Sequence, residues 1–209
     1  MKLTRAFLSN SRATSAAEFA LVLPLFLLLL LGTIDIGRWM WNIGQLEKAT
    51  MMGTRYAIVT DLVPSGLRDY SFAVSGNVPQ GNVVPESQFP GVVCIGAAGG
   101  TASCQCLQSQ AGSCNFDAST SDDEAFGRIV GRMQRLYGGI GPQHVQIAYT
   151  YSGLGYAGDP NGPDVAPIIT VSLRNLPFRP ISLGLLADLG LPGTSHSLTM
   201  EDGIGSNGY

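Results

Sequence analysis

An uncharged apolar run over residues 19–34, near the N-terminus, most constrains what this chain can fold into. As a helix rising about 1.5 Å per residue, the run would measure about 24 Å, slightly less than the hydrocarbon core of a bilayer. Glu18 lies directly before the run and Pro24 lies within it. A carboxylate at the edge of a bilayer is costly unless it has a partner, so Glu18 indicates a function.

The charges on either side of the run predict its orientation. Lys2, Arg5 and Arg12 are the only charged residues before Glu18, whereas the remainder of the chain is acidic overall. By the positive-inside rule, the basic tip stays in the cytoplasm and the rest of the chain is exported. The acidic balance also argues against a nucleic-acid partner, which would require a basic surface.

A cleaved secretory signal is the alternative to a membrane anchor, because both have a basic start and an apolar core. The residues after the run include Asp35, Arg38 and large aromatic rings, and they offer no clear small-residue cleavage site. We therefore favour an uncleaved anchor. The expected organisation is a basic cytoplasmic leader over residues 1–13 and a helix over residues 14–63, with its transmembrane part at about 17–38.

Helical periodicity continues beyond the apolar run as far as Val63. Apolar and small residues recur near a 3.6-residue period at Trp39, Ile43, Leu46, Ala49 or Thr50, Gly53 and Ala57. Pro64 predicts the end of the helix, and Pro24 predicts a bend within it. One continuous helix is favoured over the alternative of an anchor followed by a separate packing helix.

The rest of the chain predicts an α+β domain with one amphipathic helix and a short antiparallel sheet. Residues 64–120 are poor in charge and suggest loops with short β-type runs at 71–76 and 91–96. In the C-terminal part, residues 121–209, an amphipathic helix begins after a cap at Ser121 or Thr120. Alternating patterns predict strands within 144–152, 166–176 and 195–202, and residues 182–190 suggest a short helix.

Four cysteines, Cys94, Cys104, Cys106 and Cys114, lie close together in the loop region. An even number beyond an export segment predicts two disulfides. Three pairings are open, and the one that joins Cys104 to Cys106 is the least favourable because so short a loop strains the bond. A metal site is the alternative, but the paired C-x-x-C spacing and a nearby histidine are both missing.

Two loops resemble ligand sites only superficially. Residues 153–158 match G-x-G-x-x-G after a predicted strand, but the following residues cannot open the helix that a dinucleotide site requires. Asp159, Asn161 and Asp164 offer oxygen ligands for Ca²⁺, but they lack EF-hand spacing and a closing glutamate. A hairpin loop and a polar turn are the favoured interpretations.

Support for catalysis is thin. The two histidines, His144 and His196, each stand at the start of a predicted strand, and neither G-x-S-x-G nor H-E-x-x-H occurs. We therefore expect no enzyme activity, no catalytic residue, no metal and no cofactor.

The N-terminal stretches "ATSAAEFALVLPLFLLLLLGTIDIGR" and "LEKATMMGTRYA" resemble the TadE-like pseudopilins of the tight-adherence (Flp, type IVc) pilus system. The resemblance covers residues 12–57. It rests on a small residue, a glutamate and an aromatic, a proline in the apolar run, an exit motif and a downstream small-residue motif. The matching positions are Glu18, Phe19, Pro24, residues 32–38, Ala49, Gly53, Thr54, Arg55 and Ala57.

The resemblance implies a cut by a prepilin peptidase, an aspartyl enzyme of the inner membrane, between Ala13 and Thr14. The family usually has glycine before the cut, so Ala13 is a departure, although alanine is small enough for a narrow peptidase pocket. Thr14 would become the new N-terminus. Glu18, the fifth residue after the cut, would then pair with a subunit's terminal amine and set the register of assembly.

By the same resemblance, the protein would be a minor pseudopilin of the smaller type. Its long pilin-like helix would contact the membrane and other pilin and pseudopilin subunits, and its role would be priming, initiation or the tip of an adhesive surface pilus. It would sit in the bacterial inner membrane as a single-pass protein, with its C-terminal domain exported, and would enter the pilus. The alternative function is a bitopic membrane protein whose exported domain binds a ligand or partner unrelated to pili.

Overall fold

The computed structural model describes residues 11–107, 113–181, 189–201 and 203. The fold is α+β: a long apolar N-terminal helix is followed by a domain with a five-stranded antiparallel sheet and short helices. The chain divides into two compact units. Met1–Trp41 with Pro177–Gly190 is called the helical unit, and Asn42–Leu176 with Leu191–Tyr209 is called the sheet unit.

The first helix of the described residues, α1, runs without interruption from Ser11 to Ala57 and includes Pro24. The prediction of one continuous helix is therefore confirmed over this range. Its C-terminal end was predicted wrongly, because the helix stops at Ala57 and not at Val63.

Long-range hydrogen bonds explain why α1 ends early. The Ile58 carbonyl accepts from the Glu201 N–H at 3.1 Å. The Val63 N–H donates to the Tyr149 hydroxyl at 3.2 Å, and the Val63 carbonyl accepts from the Asp122 N–H at 2.7 Å. A helix through residues 58–63 would use the Ile58 carbonyl and the Val63 N–H internally, and the buried Tyr149 hydroxyl and the Glu201 N–H would then lose these bonds.

The main sheet is formed by strands from four separate parts of the chain. Each neighbouring pair in this sheet is antiparallel, and the strands follow one another in the order Ala102–Cys106 (β2), Gly91–Gly96 (β1), Val145–Thr150 (β3), Ile168–Leu173 (β4) and Thr194–Thr199 (β7). The short elements between α1 and the last strand are α2, Ser65–Arg68; β1, Gly91–Gly96; β2, Ala102–Cys106; α3, Asp123–Gln134; a 3-10 turn, Pro142–His144; β3, Val145–Thr150; and β4, Ile168–Leu173. Strands β5, Pro177–Phe178, and β6, Leu189–Gly190, form a separate two-stranded ribbon, and β7, Thr194–Thr199, completes the main sheet.

The alternation of residue types accounts for the central strands. In β3, Val145, Ile147 and Tyr149 are buried while the residues between them are half-buried, and β4 repeats the pattern. The predicted strands within 144–152, 166–176 and 195–202 and the run 91–96 are confirmed as β3, β4, β7 and β1.

The predicted strand over residues 71–76 is wrong. These residues form turns, in which the Ser75 N–H donates to the Ser71 carbonyl at 2.9 Å. Phe72 is buried, and its N–H donates to the Asp164 carboxylate at 2.6 Å instead of to a neighbouring strand. The predicted helix over 182–190 lies outside the described residues except for Leu189–Gly190, which is strand β6.

The amphipathic helix α3 begins after Asp122, not after Ser121 or Thr120. The Asp122 carboxylate accepts from the Ala125 N–H at 2.9 Å, whereas the Ser121 hydroxyl donates to the Ala102 carbonyl. Partial burial opposes the charge of Asp122, but this N–H and the Arg68 guanidinium outweigh it and hold the pKa of Asp122 below its usual value. The cap therefore stabilises α3 above the ordinary aspartate pKa and weakens as the pH falls through the lowered one.

The cysteines form the two predicted disulfides, and the structure gives the pairing that the sequence left open: Cys94 with Cys104 and Cys106 with Cys114. Cys94 lies directly opposite Cys104 in the register of β1 and β2, so the first bridge closes this hairpin. The second bridge ties the end of β2 to the chain that follows. The pairing of Cys104 with Cys106, judged least favourable, does not form.

We predict that Tyr149→Phe destabilises the protein by about 1–3 kcal/mol, because the buried Val63 N–H loses its acceptor. Chemical denaturation followed by circular dichroism measures the change. Tyr151→Phe, at a half-buried position directly after β3, is the matched control. Equal stability of the two variants would contradict the assigned role of the Tyr149 hydroxyl.

Candidate functional site

The apolar part of α1 is exposed rather than packed into a core. Every residue from 15 to 30 is exposed, and Leu21, Leu25 and Leu29 are at least 65% accessible. The most apolar window of the helix has a mean hydropathy of 2.5 and is only 6% buried. By length and composition this helix can cross a membrane, and its exposure distinguishes it from the core helix of a soluble protein.

The residues predicted to act in assembly lie on this exposed part of α1. Glu18 and Phe19 are both exposed, Phe19 by 65%, and Pro24 lies on the same stretch. Ala13 and Thr14 belong to the first turn of α1, and their side chains lie outside the described residues. The roles predicted for these positions, including the bend at Pro24, remain predictions.

Asp35 is a buried carboxylate immediately beyond the apolar run. It is 1% exposed, and it accepts from Arg38 Nη1 at 3.2 Å and from the Ile181 N–H at 2.8 Å. From the sequence, Asp35 served only as one of the residues that argue against a cleavage site and as part of the exit motif, residues 32–38, and its burial was not predicted. The available signal was a carboxylate at the end of an apolar run with an arginine one helical turn further on.

The ribbon of β5 and β6 packs on α1 beside Asp35, within the helical unit. Arg38 Cζ lies 5.6 Å from the centre of the buried Phe178 ring, which is a cation–π contact. Trp39 Nε1 lies 3.5 Å from the Gly190 carbonyl oxygen. Contacts from both strands of the ribbon therefore reach the same short stretch of α1.

The C-terminal part of α1 has a different surface, made of small residues that are buried in the sheet unit. Ala49, Gly53 and Ala57 are all buried, at the positions that the downstream motif marks. A Cβ atom on Gly53 would lie 2.7 Å from Met133 Sδ, so α3 approaches the backbone of α1 closely there. The Thr54 hydroxyl lies 3.1 Å from the carbonyl oxygen of His196 on β7.

Charged side chains hold α3 beside the end of α1. Arg132 Cζ lies 4.9 Å from the centre of the Tyr56 ring, and Arg128 pairs with Asp61 at 2.7 Å. Arg128 also pairs with the exposed Glu124 at 3.0 Å. The small-residue face of α1 is thus bordered by directed contacts, which fix its orientation within the sheet unit.

The two loops weighed as ligand sites satisfy their polar groups internally. The Asp164 carboxylate accepts from the Phe72 and Asp159 N–H groups, and Asp159 accepts from the Asn161 N–H. A Cβ on Gly155 would lie 2.7 Å from the Asp164 carbonyl oxygen, so this glycine permits close backbone packing. Among the described residues, no group of three or more His, Cys, Asp or Glu side chains is arranged to hold a metal ion.

We predict that Gly53→Ala lowers stability by about 1–3 kcal/mol relative to Gly44→Ala. The new methyl group meets the buried Met133 side chain at position 53, whereas it meets nothing within 4 Å at position 44. Removing glycine from a helix is otherwise favourable, so Gly44→Ala should be neutral or stabilising. Denaturant unfolding of both variants measures the difference, and equal stabilisation at both positions would contradict the close contact.

Comparison with known protein families gives a match in the N-terminal part of the chain. A family model described as TadE-like protein matches residues 13–55, about a fifth of the chain. No curated protein and no solved structure matches the chain. The matched residues include both the exposed apolar stretch and most of the buried small-residue face, so the resemblance predicted from the motifs is confirmed: residues 13–55 are a TadE-like segment.

Proposed function

We propose that this protein is a minor pseudopilin that takes part in priming, initiating or capping a Tad/Flp-type surface pilus used in adhesion. The observation that carries the proposal is the exposed apolar stretch of α1, residues 15–30, within the segment that matches the TadE-like family. Such a surface is stable only in lipid or against other apolar helices. A pseudopilin uses both environments in turn.

In the membrane state, α1 is the single transmembrane span of an inner-membrane protein. Lys2, Arg5 and Arg12 hold the leader in the cytoplasm, and the sheet unit is exported. Both disulfides lie in the sheet unit and suit the oxidising compartment that it would occupy.

In the assembled state, the exposed stretch of α1 becomes a surface shared with other pilin and pseudopilin subunits. Glu18 stands at the start of the apolar run, and its charge needs a cationic partner in an apolar surrounding. Cleavage between Ala13 and Thr14 by the prepilin peptidase would supply a terminal amine from a neighbouring subunit. The pairing of Glu18 with that amine would fix the axial register of the helices.

The buried small-residue face suits a subunit whose N-terminal helix is attached to a folded unit, which here is the sheet unit. Ala49, Gly53 and Ala57 attach α1 to the sheet unit, so these positions are occupied within one subunit. We assign the contacts between subunits to the exposed N-terminal stretch, residues 15–30, which includes Phe19. The large folded unit that follows the exposed stretch suits a minor component of the filament better than its main subunit. We propose no catalytic activity for the protein.

We expect Glu18→Ala to abolish pilus assembly while leaving membrane insertion intact, because only the pairing of helices needs the carboxylate. Electron microscopy of surface pili and an adhesion assay measure assembly, and membrane fractionation measures insertion. Glu47→Ala is the matched control, since Glu47 is an exposed carboxylate on the same helix outside the apolar run. Normal piliation with Glu18→Ala would leave the alternative, a bitopic protein with a ligand- or partner-binding domain.

We expect the mature protein to begin at Thr14 when an active prepilin peptidase is present. N-terminal sequencing of protein from the membrane fraction measures this directly. Ala13→Gly should be processed at least as well, and Ala13→Leu should be retained at full length because the larger side chain does not fit a narrow pocket. A chain that still begins at Met1 beside an active peptidase would remove cleavage from the proposal.

A further inference from the structure

The helical unit contains an ion pair between the buried Asp35 and the exposed Arg38, at a depth where a membrane anchor should still be in contact with lipid. The uncharged run, residues 19–34, measures about 24 Å as a helix, and a hydrocarbon core is about 30 Å thick. With Glu18 at the cytoplasmic edge, about four further residues are needed to reach the opposite edge. Asp35 and Arg38 then fall within the outer margin of the hydrocarbon core.

The ribbon and the residues that follow β5 shield the Asp35 carboxylate and provide it with a hydrogen-bond donor at that depth. An ionised side chain in lipid must be paired and hydrogen-bonded. Asp35 is 1% exposed, and its carboxylate pairs with the Arg38 guanidinium and accepts a hydrogen bond from the Ile181 N–H. The chain that leaves β5 therefore shields Asp35, and the Phe178 ring supports the guanidinium.

The outward side of this chain is suited to a lipid interface. Residues alternate along 177–181: Phe178 and Pro180 are buried, whereas Ile181 is 62% exposed. Arg179 is also exposed and can reach lipid phosphates from a shallow position. An exposed isoleucine can contact acyl chains at a lipid interface while an exposed arginine keeps its charged end among the headgroups.

Exposed apolar side chains also continue along α1 beyond Asp35. Ile36, Met40 and Trp41 are 56%, 64% and 69% exposed, which matches the exposure of the apolar run itself. Tryptophan is enriched where a membrane meets water. Counted from residue 19 to Met40, the apolar surface of α1 measures about 33 Å and spans the hydrocarbon core.

We propose that residues 177–181, held on α1 by Asp35, form a second membrane contact that lies among the lipids of the exported-side leaflet. The occupant of this surface is lipid, because the surface continues the apolar face of α1 and carries a cation suited to phosphate. The proposal rests on the membrane anchor of the proposed function and adds a contact from a distant part of the chain. Asp35 is a positioning residue that fixes the depth of the segment.

Site-directed spin labelling of the full chain in lipid nanodiscs of phosphatidylethanolamine and phosphatidylglycerol tests the proposal. Nitroxides are attached separately at Ile181→Cys, Leu27→Cys and Val74→Cys, and the four native cysteines are already in disulfides. Collisions with oxygen report lipid, and collisions with a water-soluble nickel chelate report water. We expect oxygen to dominate at positions 27 and 181, and nickel to dominate at position 74, which is 81% exposed on the sheet unit.

A second variant tests the role of Asp35. Adding Asp35→Ala to Ile181→Cys removes the acceptor of the Ile181 N–H, and we expect the label to shift from oxygen-dominated to nickel-dominated collisions. The label at position 27 should not change. Glu47→Ala, which removes an exposed carboxylate from the same helix, should leave both labels unchanged.

The outcomes distinguish the proposed lipid contact of residues 177–181, here called the ribbon contact, from the membrane anchor formed by α1. Nickel-dominated collisions at position 181 with oxygen-dominated collisions at position 27 would overturn the ribbon contact alone. Nickel-dominated collisions at both positions would overturn the anchor as well. Protection of position 181 from both reagents, increasing with the number of chains per disc, would show that a second copy covers the surface and would also overturn the lipid contact.

Discussion

The close approach of α1 and α3 at Gly53 is the contact on which the sheet unit depends. Because position 53 has no side chain, the buried Met133 packs directly on the α1 backbone. On another side of α1, the Thr54 hydroxyl reaches the carbonyl of His196 on β7. The end of α1 is thus held by a helix and a strand at once, so a larger side chain at position 53 would disturb both the helix packing and the edge of the sheet.

The parts of the fold that could be predicted are those whose residue types repeat at a regular spacing along the chain. Apolar residues at helical spacing predicted α1, and alternation predicted β3, β4 and β7. The end of α1 could not be predicted in this way, because the backbone groups of Val63 form hydrogen bonds with Tyr149 and Asp122, both distant in sequence. The strand predicted at 71–76 was wrong for the same reason: the N–H of the buried Phe72 donates to Asp164, which is distant in sequence, and not to a neighbouring strand.

The candidate site shows the same division. Glu18 and Phe19 were recognised because their motif is contiguous, and the small-residue positions were recognised because they repeat at helical spacing. Asp35 was missed as a distinct feature because the N–H that it binds belongs to a residue 146 positions away. The cysteine pairing was likewise open until the register placed Cys94 opposite Cys104.

The TadE-like segment is physically two surfaces on one helix. From Ser15 to Leu30 its side chains are large, apolar and exposed, so the interactions there are non-directional and depend on area. From Leu46 to Ala57 the buried side chains are mostly small and the contacts are close, so they depend on shape. An apolar surface whose interactions depend on the area in contact can exchange lipid for neighbouring helices. A surface whose packing depends on shape binds only the partner that fits it. In the proposed pseudopilin, this difference would let the N-terminal stretch of α1 leave the membrane while the sheet unit stays attached.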